Sequence, residues 1–451
     1  MQNDSVRPSL VSRRRPARLA ASVCASAAAV AIATTLAWAA VHTRLESSVP
    51  AADEVLTVAP ELFELTFSGP VNEGLSELVL LVPSGDSVHI ALRAPGDDAR
   101  ILVGEVPDLA DGLYVVRWRT VSADGHPVSG EFRFTFRGSP VAGVVDEEVE
   151  PRGAPEAEAP EAAASEAAAP GDSTPPAGGT LLAGFGLICL LGFSGLLWYC
   201  GSLALLREPR IARAVLVLGS AALIILGADL VMWLRAVVPS GSGFAGVGAA
   251  IGSGTGVVGL ARLALIGSAL ALLRRHGRAA AGLALTALLI GAASGHAAAV
   301  SPWLTVPANA VHLGAVAMWI GGLLLLLLTP DAPADGSSAW RFGDVAGTVS
   351  TVALMAVVLV VASGVAQSAR FVGDYAAFTG TTYGRLVLLK WAGLVVLVGF
   401  GAYHRSRTMP ALERDRDARG LRRTVRLETI VMLAIIMVAA WLARVSPPAG
   451  H

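Results

Sequence analysis

Between His42 and Thr180 the chain has no cysteine, and the three it does have, Cys24, Cys189 and Cys200, all lie in apolar segments. A disulfide framework is therefore excluded from that stretch, which must hold together by an apolar core alone. No C-x-x-C spacing occurs, which removes the usual thiolate metal sites. No G-x-x-x-x-G-K-[ST] motif occurs either, so no P-loop nucleotide site is present to drive anything. Charge is also scarce: Asp, Glu, Lys and Arg make up 15% of the residues, and the net charge is −1. Nothing here offers a basic surface for nucleic acid.

What is abundant is apolar residues, at 54% of the chain. They are unevenly placed. Residues 1–19 carry Arg7, Arg13, Arg14, Arg15 and Arg18, and an apolar stretch follows from Leu19 to Ala40, ending Ala37-Trp38-Ala39-Ala40. A basic start, a hydrophobic middle and a small-residue end predict that residues 1–40 are a secretory signal, cut after an A-x-A pattern, or else an N-terminal anchor.

Residues 42–140 change character. Leu62–Phe67, Leu113–Arg119 and Glu131–Phe136 alternate apolar and polar side chains, and Gly, Pro and Asp clusters separate them. That pattern predicts an all-β, immunoglobulin-like Greek-key sandwich. Residues 141–179 are rich in Ala, Pro and Glu, with Arg152 the one base, and predict a disordered acidic linker. Residues 180–445 contain about eight apolar runs of membrane length, near 181–206, 211–234, 256–274, 279–300, 307–328, 345–367, 384–404 and 427–445, which predicts an all-α polytopic bundle. Arginines cluster between the first and second runs, the third and fourth, and the seventh and eighth, all on one side if the runs alternate. That side is cytoplasmic, so residues 42–179 face outward from the cytoplasmic membrane of a bacterium.

Two sets of residues could carry chemistry. His42 opens the exported segment, and Asp124-Gly125-His126 lies in a loop between strands. Two imidazoles and a carboxylate suit Cu(II), which favours planar N,O ligation, with the glycine permitting a tight turn. On residue types alone, Asp-Gly-His is more often a polar turn. His89 sits on an alternating strand and is expected to be a surface residue. Within the membrane runs, ionisable groups are expensive and usually functional. Asp229, Met232, His296 and His312 fall toward the outer ends of their spans. Met318 is placed deeper, Lys390 lies in the seventh run, and Met355 and His404 are further candidates, His404 at an inner exit. These imidazole and thioether groups suit a copper pathway, with Cu(I) the form that methionines prefer. His296 and His312 at matched depth also suit a b-type haem, which would make the protein an electron carrier or copper reductase.

His42-Thr-Arg-Leu-Glu-Ser-Ser-Val-Pro, with Trp118-Arg119 and Ser122-Ala-Asp124-Gly-His126-Pro-Val-Ser-Gly130, resembles the CopC family of periplasmic copper proteins. The resemblance implies a cupredoxin-like sandwich binding Cu(II) through His42, Asp124 and His126. Some members of that family carry a Met-rich Cu(I) site; residues 42–140 contain no methionine, so none is expected here. Ser294-Gly-His296-Ala, His312 to Met318-Trp319-Ile-Gly-Gly322, and Tyr383-Gly384-Arg385 to Lys390 are similar to the CopD family of inner-membrane copper proteins. That similarity implies copper uptake or resistance rather than enzymatic catalysis. Expected partners are copper ions, the lipid bilayer and an external copper donor protein, with the oligomeric state open.

Overall fold

The computed structural model describes residues 43–122, 125, 127–138, 177–203, 205–239, 241–293, 302–330, 342–371, 379–415 and 418–445. The expected signal segment, 1–40, and nearly all of the expected linker lie outside the described residues.

Nine strands form the first domain: β1 Leu45–Val49, β2 Val55–Leu56, β3 Leu62–Phe67, β4 Glu77–Leu81, β5 Ser87–Ile90, β6 Leu92–Arg93, β7 Ile101–Glu105, β8 Gly112–Val121 and β9 Pro127–Phe136. They make two facing sheets, one ordered β1-β3-β7-β6 and the other β2-β9-β8-β4-β5. The alternation seen in the sequence is the cause. Tyr114, Val116 and Trp118 on β8 and Phe132, Phe134 and Phe136 on β9 all point inward, meeting Phe63, Leu65 and Phe67 from β3. Each large side chain removed from water contributes about 1.5–3 kcal/mol. Tyr114 stacks on Phe134 with ring centroids 5.1 Å apart, and Trp118 meets Phe67 edge-on at 5.4 Å. The register places Gly130 opposite Trp118. A Cβ at Gly130 would lie 2.7 Å from the indole, so the tryptophan needs a glycine as its cross-strand neighbour.

The second domain is helical: α1 Ala177–Leu203, α2 Pro209–Val237, α3 Gly243–Gly252, α4 Gly254–Leu272, α5 Gly277–Ile290, α6 Pro302–Leu328, α7 Phe342–Phe371, α8 Thr382–Tyr403, α9 Met409–Asp415 and α10 Ala418–Leu442, with a π-helical turn, His404–Thr408, between α8 and α9. Among the described residues, seven helices are long and apolar enough to cross a membrane: α1, α2, α4, α6, α7, α8 with its continuation, and α10. The run expected at 279–300 is described as the 14-residue α5 followed by a 3-10 turn, Gly291–Ala293, and residues 294–301 lie outside the described set. Parity assigns α5 a crossing as well: α4 ends at the arginine cluster Arg274-Arg275, and α8 ends at Arg405 and Arg407, so the chain must return outward between α4 and α6.

The bundle is close-packed around α1 and α6. Gly195 on α1 and Gly321 on α6 meet backbone to backbone, and a Cβ at Gly195 would collide with the Ala317 carbonyl. Small residues at a helix crossing allow this approach in lipid, where dispersion contacts replace the hydrophobic effect as the main attraction.

Candidate functional site

The outer candidate site sits at one end of the sandwich. His42, Asp124 and His126 lie outside the described residues, so their side chains are not placed. Their neighbours are. The Arg44 N–H donates to Ser68 Oγ at 3.0 Å, and the Ser68 N–H donates to the Arg44 carbonyl at 2.9 Å. A few residues on, Val71 bridges Ser122, and the Asn72 N–H donates to the Val121 carbonyl at 2.9 Å. The segment Ser68–Asn72 therefore ties the chain just after His42 to the start of the loop that carries Asp124 and His126. Gly125 in that loop has φ +85°, a left-handed conformation, and its N–H closes a turn onto the Ser122 carbonyl at 2.8 Å. His89 stays on the surface of β5, with Nδ1 3.2 Å from Glu77 Oε1 on the neighbouring strand.

This end of the sandwich rests on the helical domain. Trp233 Nε1, on α2, donates to the Gly125 carbonyl at 2.9 Å. Thr255 on α4 packs against Gly125 and fills the space a Cβ would need there. Leu75 and Val121 from the β-domain bury themselves with Val237 and Ala250 from α2 and α3. One helical turn below Trp233, Asp229 Oδ1 accepts from Arg444 Nη2 at 3.0 Å. A guanidinium already compensates this carboxylate, so Met232 is half exposed beside it. Arg262 on α4, which the sequence reading passed over, is also electrostatically coupled to Asp229.

Deeper, α1, α6, α7, α8 and α10 enclose a cavity of about 160 Å³. His312, Trp319, Tyr383, Lys390 and Met432 line it. His312 Nδ1 lies 3.0 Å from Ser363 Oγ, and the Ser363 hydroxyl hydrogen is directed to the Leu359 carbonyl. Ser363 therefore accepts from His312, the proton is assigned to Nδ1, and Nε2 keeps its lone pair. Neutral imidazole with a free Nε2 is the form that ligates a metal. Lys390, the chain's one lysine, forms no ion pair among the described residues. The cavity is smaller than the roughly 300–1,000 Å³ of ordinary small-molecule pockets, and a porphyrin does not fit it.

Other expected membrane residues separate from this cavity. Met318 packs into the surrounding core and does not line it. At 3.6 residues per turn, the residue two turns below His312 on the same face is Trp319. Met355 is 65% exposed on the outside of α7. His296 lies outside the described residues. Among the described residues, no cluster of three or more His, Cys, Asp or Glu side chains could hold a metal ion, and Asp229 and His312 are not brought into one group.

Below the cavity, Trp319 Nε1 donates to Glu428 Oε1 at 2.8 Å. Glu428, on α10, is 2% exposed, and its Oε2 lies 3.2 Å from His404 Nδ1. His404 Nε2 meets Thr424 Oγ1 at 2.8 Å. Both ring nitrogens of His404 are thus engaged, which corrects the expectation of His404 as an exit ligand with a nitrogen free for copper. Glu428 was missed because the eighth apolar run was started at 427. That boundary left the carboxylate at the edge of an arginine-rich loop, whereas α10 begins at Ala418.

Residues 45–137 match the family model described as the CopC domain, and residues 344–442 match the one described as copper resistance protein D, CopD. Over 105 residues the chain is 37% identical to Copper resistance protein C of Escherichia coli, covering 21% of this chain and 82% of that protein. The chain belongs to the CopC family, with a CopD domain joined to it. It is also 26% identical over 435 residues to Copper transport protein CutJ of Bacillus subtilis (strain 168), covering 90% of this chain and 75% of that one. The crystal structure of CopC from Methylosinus trichosporium OB3b is 33% identical, covers 22% of this chain and 97% of its own, and aligns with a TM-score of 0.21. The CopC domain thus corresponds to the β-sandwich, and the CopD match runs from the start of α7 to the end of α10. The protein is a multi-pass protein of the bacterial cytoplasmic membrane with its CopC domain on the outer face.

Proposed function

We propose that this protein captures Cu(II) on its outer domain through His42, Asp124 and His126 and passes copper into the helical domain. One observation carries this reading: the Asp124-Gly125-His126 loop is hydrogen-bonded through Gly125 to Trp233, one turn above the Asp229–Arg444 pair. Metal released from that loop arrives at the outer rim of the membrane domain without crossing bulk water. Leu442, two residues before Arg444, lines the cavity that holds His312, so the rim and the cavity adjoin. His312 Nε2 then offers a neutral nitrogen, and Met432 a thioether suited to Cu(I). Copper here is cargo, and no catalytic step is part of the reading.

The test is the copper content of cells expressing the full chain, measured by elemental mass spectrometry. His126→Ala and His312→Ala should each abolish most of the excess copper accumulated, or most of the copper tolerance gained. Accumulation equal to the unaltered protein in both variants, at equal membrane levels, would overturn the pathway. Electron paramagnetic resonance of the purified full chain should show a Cu(II) signal that His126→Ala removes and His312→Ala keeps.

A further inference from the structure

We infer that Glu428 and His404 together form a proton-binding site that exchanges its proton as copper crosses the helical domain. The proton follows from counting bonds. Thr424 has one hydroxyl hydrogen, and it points at the Leu421 carbonyl, 2.9 Å away. Thr424 must then accept from His404 Nε2, which assigns the ring proton to Nε2 and leaves a lone pair on Nδ1. That lone pair faces Glu428 Oε2 at 3.2 Å, and Oε2 is a fully buried oxygen that receives no hydrogen bond. A bare carboxylate against a bare lone pair, out of water, is the costly arrangement. One proton on Oε2, directed at Nδ1, resolves both defects. Glu428 Oε1 already has its own donor in Trp319.

The surroundings supply no other counter-charge. Arg422, on the same helix, donates from Nη2 to the Thr329 carbonyl and lies over the Phe342 ring, 4.9 Å from its centre. Tyr199 on α1 is buried, and its hydroxyl receives no bond. Tyr403, Arg405 and Arg407 beside His404 are exposed. α6 contributes only the indole of Trp319 near the pair, and the side chains of Glu413, Arg414 and Asp415 on α9 fall outside the described set. Losing the proton would strand a negative charge in the bilayer core, so its departure must accompany the arrival of a positive one.

Both needed connections exist. Trp319 lines the His312 cavity on one side and holds Glu428 on the other. Toward the exterior, an open depression of about 400 Å³, lined by Val396, Gly399, Phe400, Tyr403 and Thr424, reaches the Thr424 end of the pair and gives water a way to it. Balance is simple: one positive charge enters the path and one proton leaves Glu428, with no bond to copper formed at His404.

The copper part of this inference rests on the proposed function; the proton part does not, and the test separates them. Infrared difference spectra of the full chain in detergent, taken across a pH titration, should contain a protonated carboxylic acid stretch. Glu428→Gln should remove that stretch, and His404→Gln should shift it. A spectrum of the unaltered protein lacking it, or retaining it unchanged in Glu428→Gln, overturns the inference whether or not copper moves. Should Glu428→Gln fail to fold, an unshifted stretch in His404→Gln has the same force. In vesicles carrying the full chain and a trapped pH dye, copper entry should be matched by proton exit, and Glu428→Gln should lose the pH signal. Copper entry without any pH change sinks the coupling and leaves the transport reading intact. No copper entry, with the carboxylic acid stretch present, sinks the transport reading and leaves the proton site standing.

Discussion

The indole nitrogen of Trp233 donates to the Gly125 carbonyl across 2.9 Å, joining the metal-loop end of the β-sandwich to a membrane helix 108 residues further on. A single neutral hydrogen bond is worth about 0.5–1.5 kcal/mol net, so Trp233→Phe should weaken docking by roughly tenfold at most. Copper delivery into cells should fall by a similar factor, while the Cu(II) resonance of the outer domain persists. Loss of that resonance in Trp233→Phe would mean that the tryptophan shapes the site itself.

Gly125 is a sharper probe of the same junction. Thr255 occupies the place where a side chain would begin, and the backbone there is left-handed. Gly125→Ala should separate the two domains, and Gly125→Ala with Thr255→Gly should restore part of the contact. Protease accessibility near residue 125 in intact membranes measures this, and no gain from the second change would refute the packing argument.

Ser363 should matter through His312. Ser363→Ala removes the acceptor that holds the imidazole proton on Nδ1, costing roughly 1 kcal/mol of orientation. Copper accumulation should drop several-fold, less than in His312→Ala. Lys390 lines the same cavity with no ion pair among the described residues, so an ammonium there opposes a passing cation. Lys390→Met should raise copper entry, measured as initial uptake rate; a fall would assign the amine a helpful role instead.

In the outer domain, Asp98 is held down to about 2 from its ordinary 3.8, chiefly by the side-chain hydrogen bonds from Arg100. A lowered carboxyl value means that its contribution to stability is present above roughly pH 4 and is lost as pH falls through about 2. Both side chains are exposed, so the effect is small. Asp98→Asn should flatten the dependence of melting temperature on pH between those limits, and an unchanged slope would contradict the assignment.

Gly130→Ala tests the core. The added methyl meets Trp118 at 2.7 Å and should cost about 1–3 kcal/mol through forced repacking, read as a lower melting temperature of the outer domain.

Much of this was legible beforehand because two periods carry it. Alternation along Leu113–Arg119 and Glu131–Phe136 announced β8 and β9, and apolar length with arginine placement announced the spans and their direction. Pairings between distant residues were not legible. Asp229 meets Arg444 across 215 residues, and Trp319 meets Glu428 across 109, and no local pattern encodes either. Some misses did have a signal. Arg262 and Glu428 are ionisable residues inside helices that cross the membrane, the same property that singled out Asp229 and His312. Met318 was chosen over Trp319 for its sulfur, although the helical period puts Trp319, six residues before the end of a leucine-rich run, on the face of His312.

The glycine crossing between α1 and α6 limits how this machine can move. Two helices in backbone contact slide or splay only by breaking that fit, so they act as a fixed post. Any rocking that opens the conduit by turns to either side must then belong to α8 and α10, which carry Lys390, His404 and Glu428 and pivot against the post at Trp319.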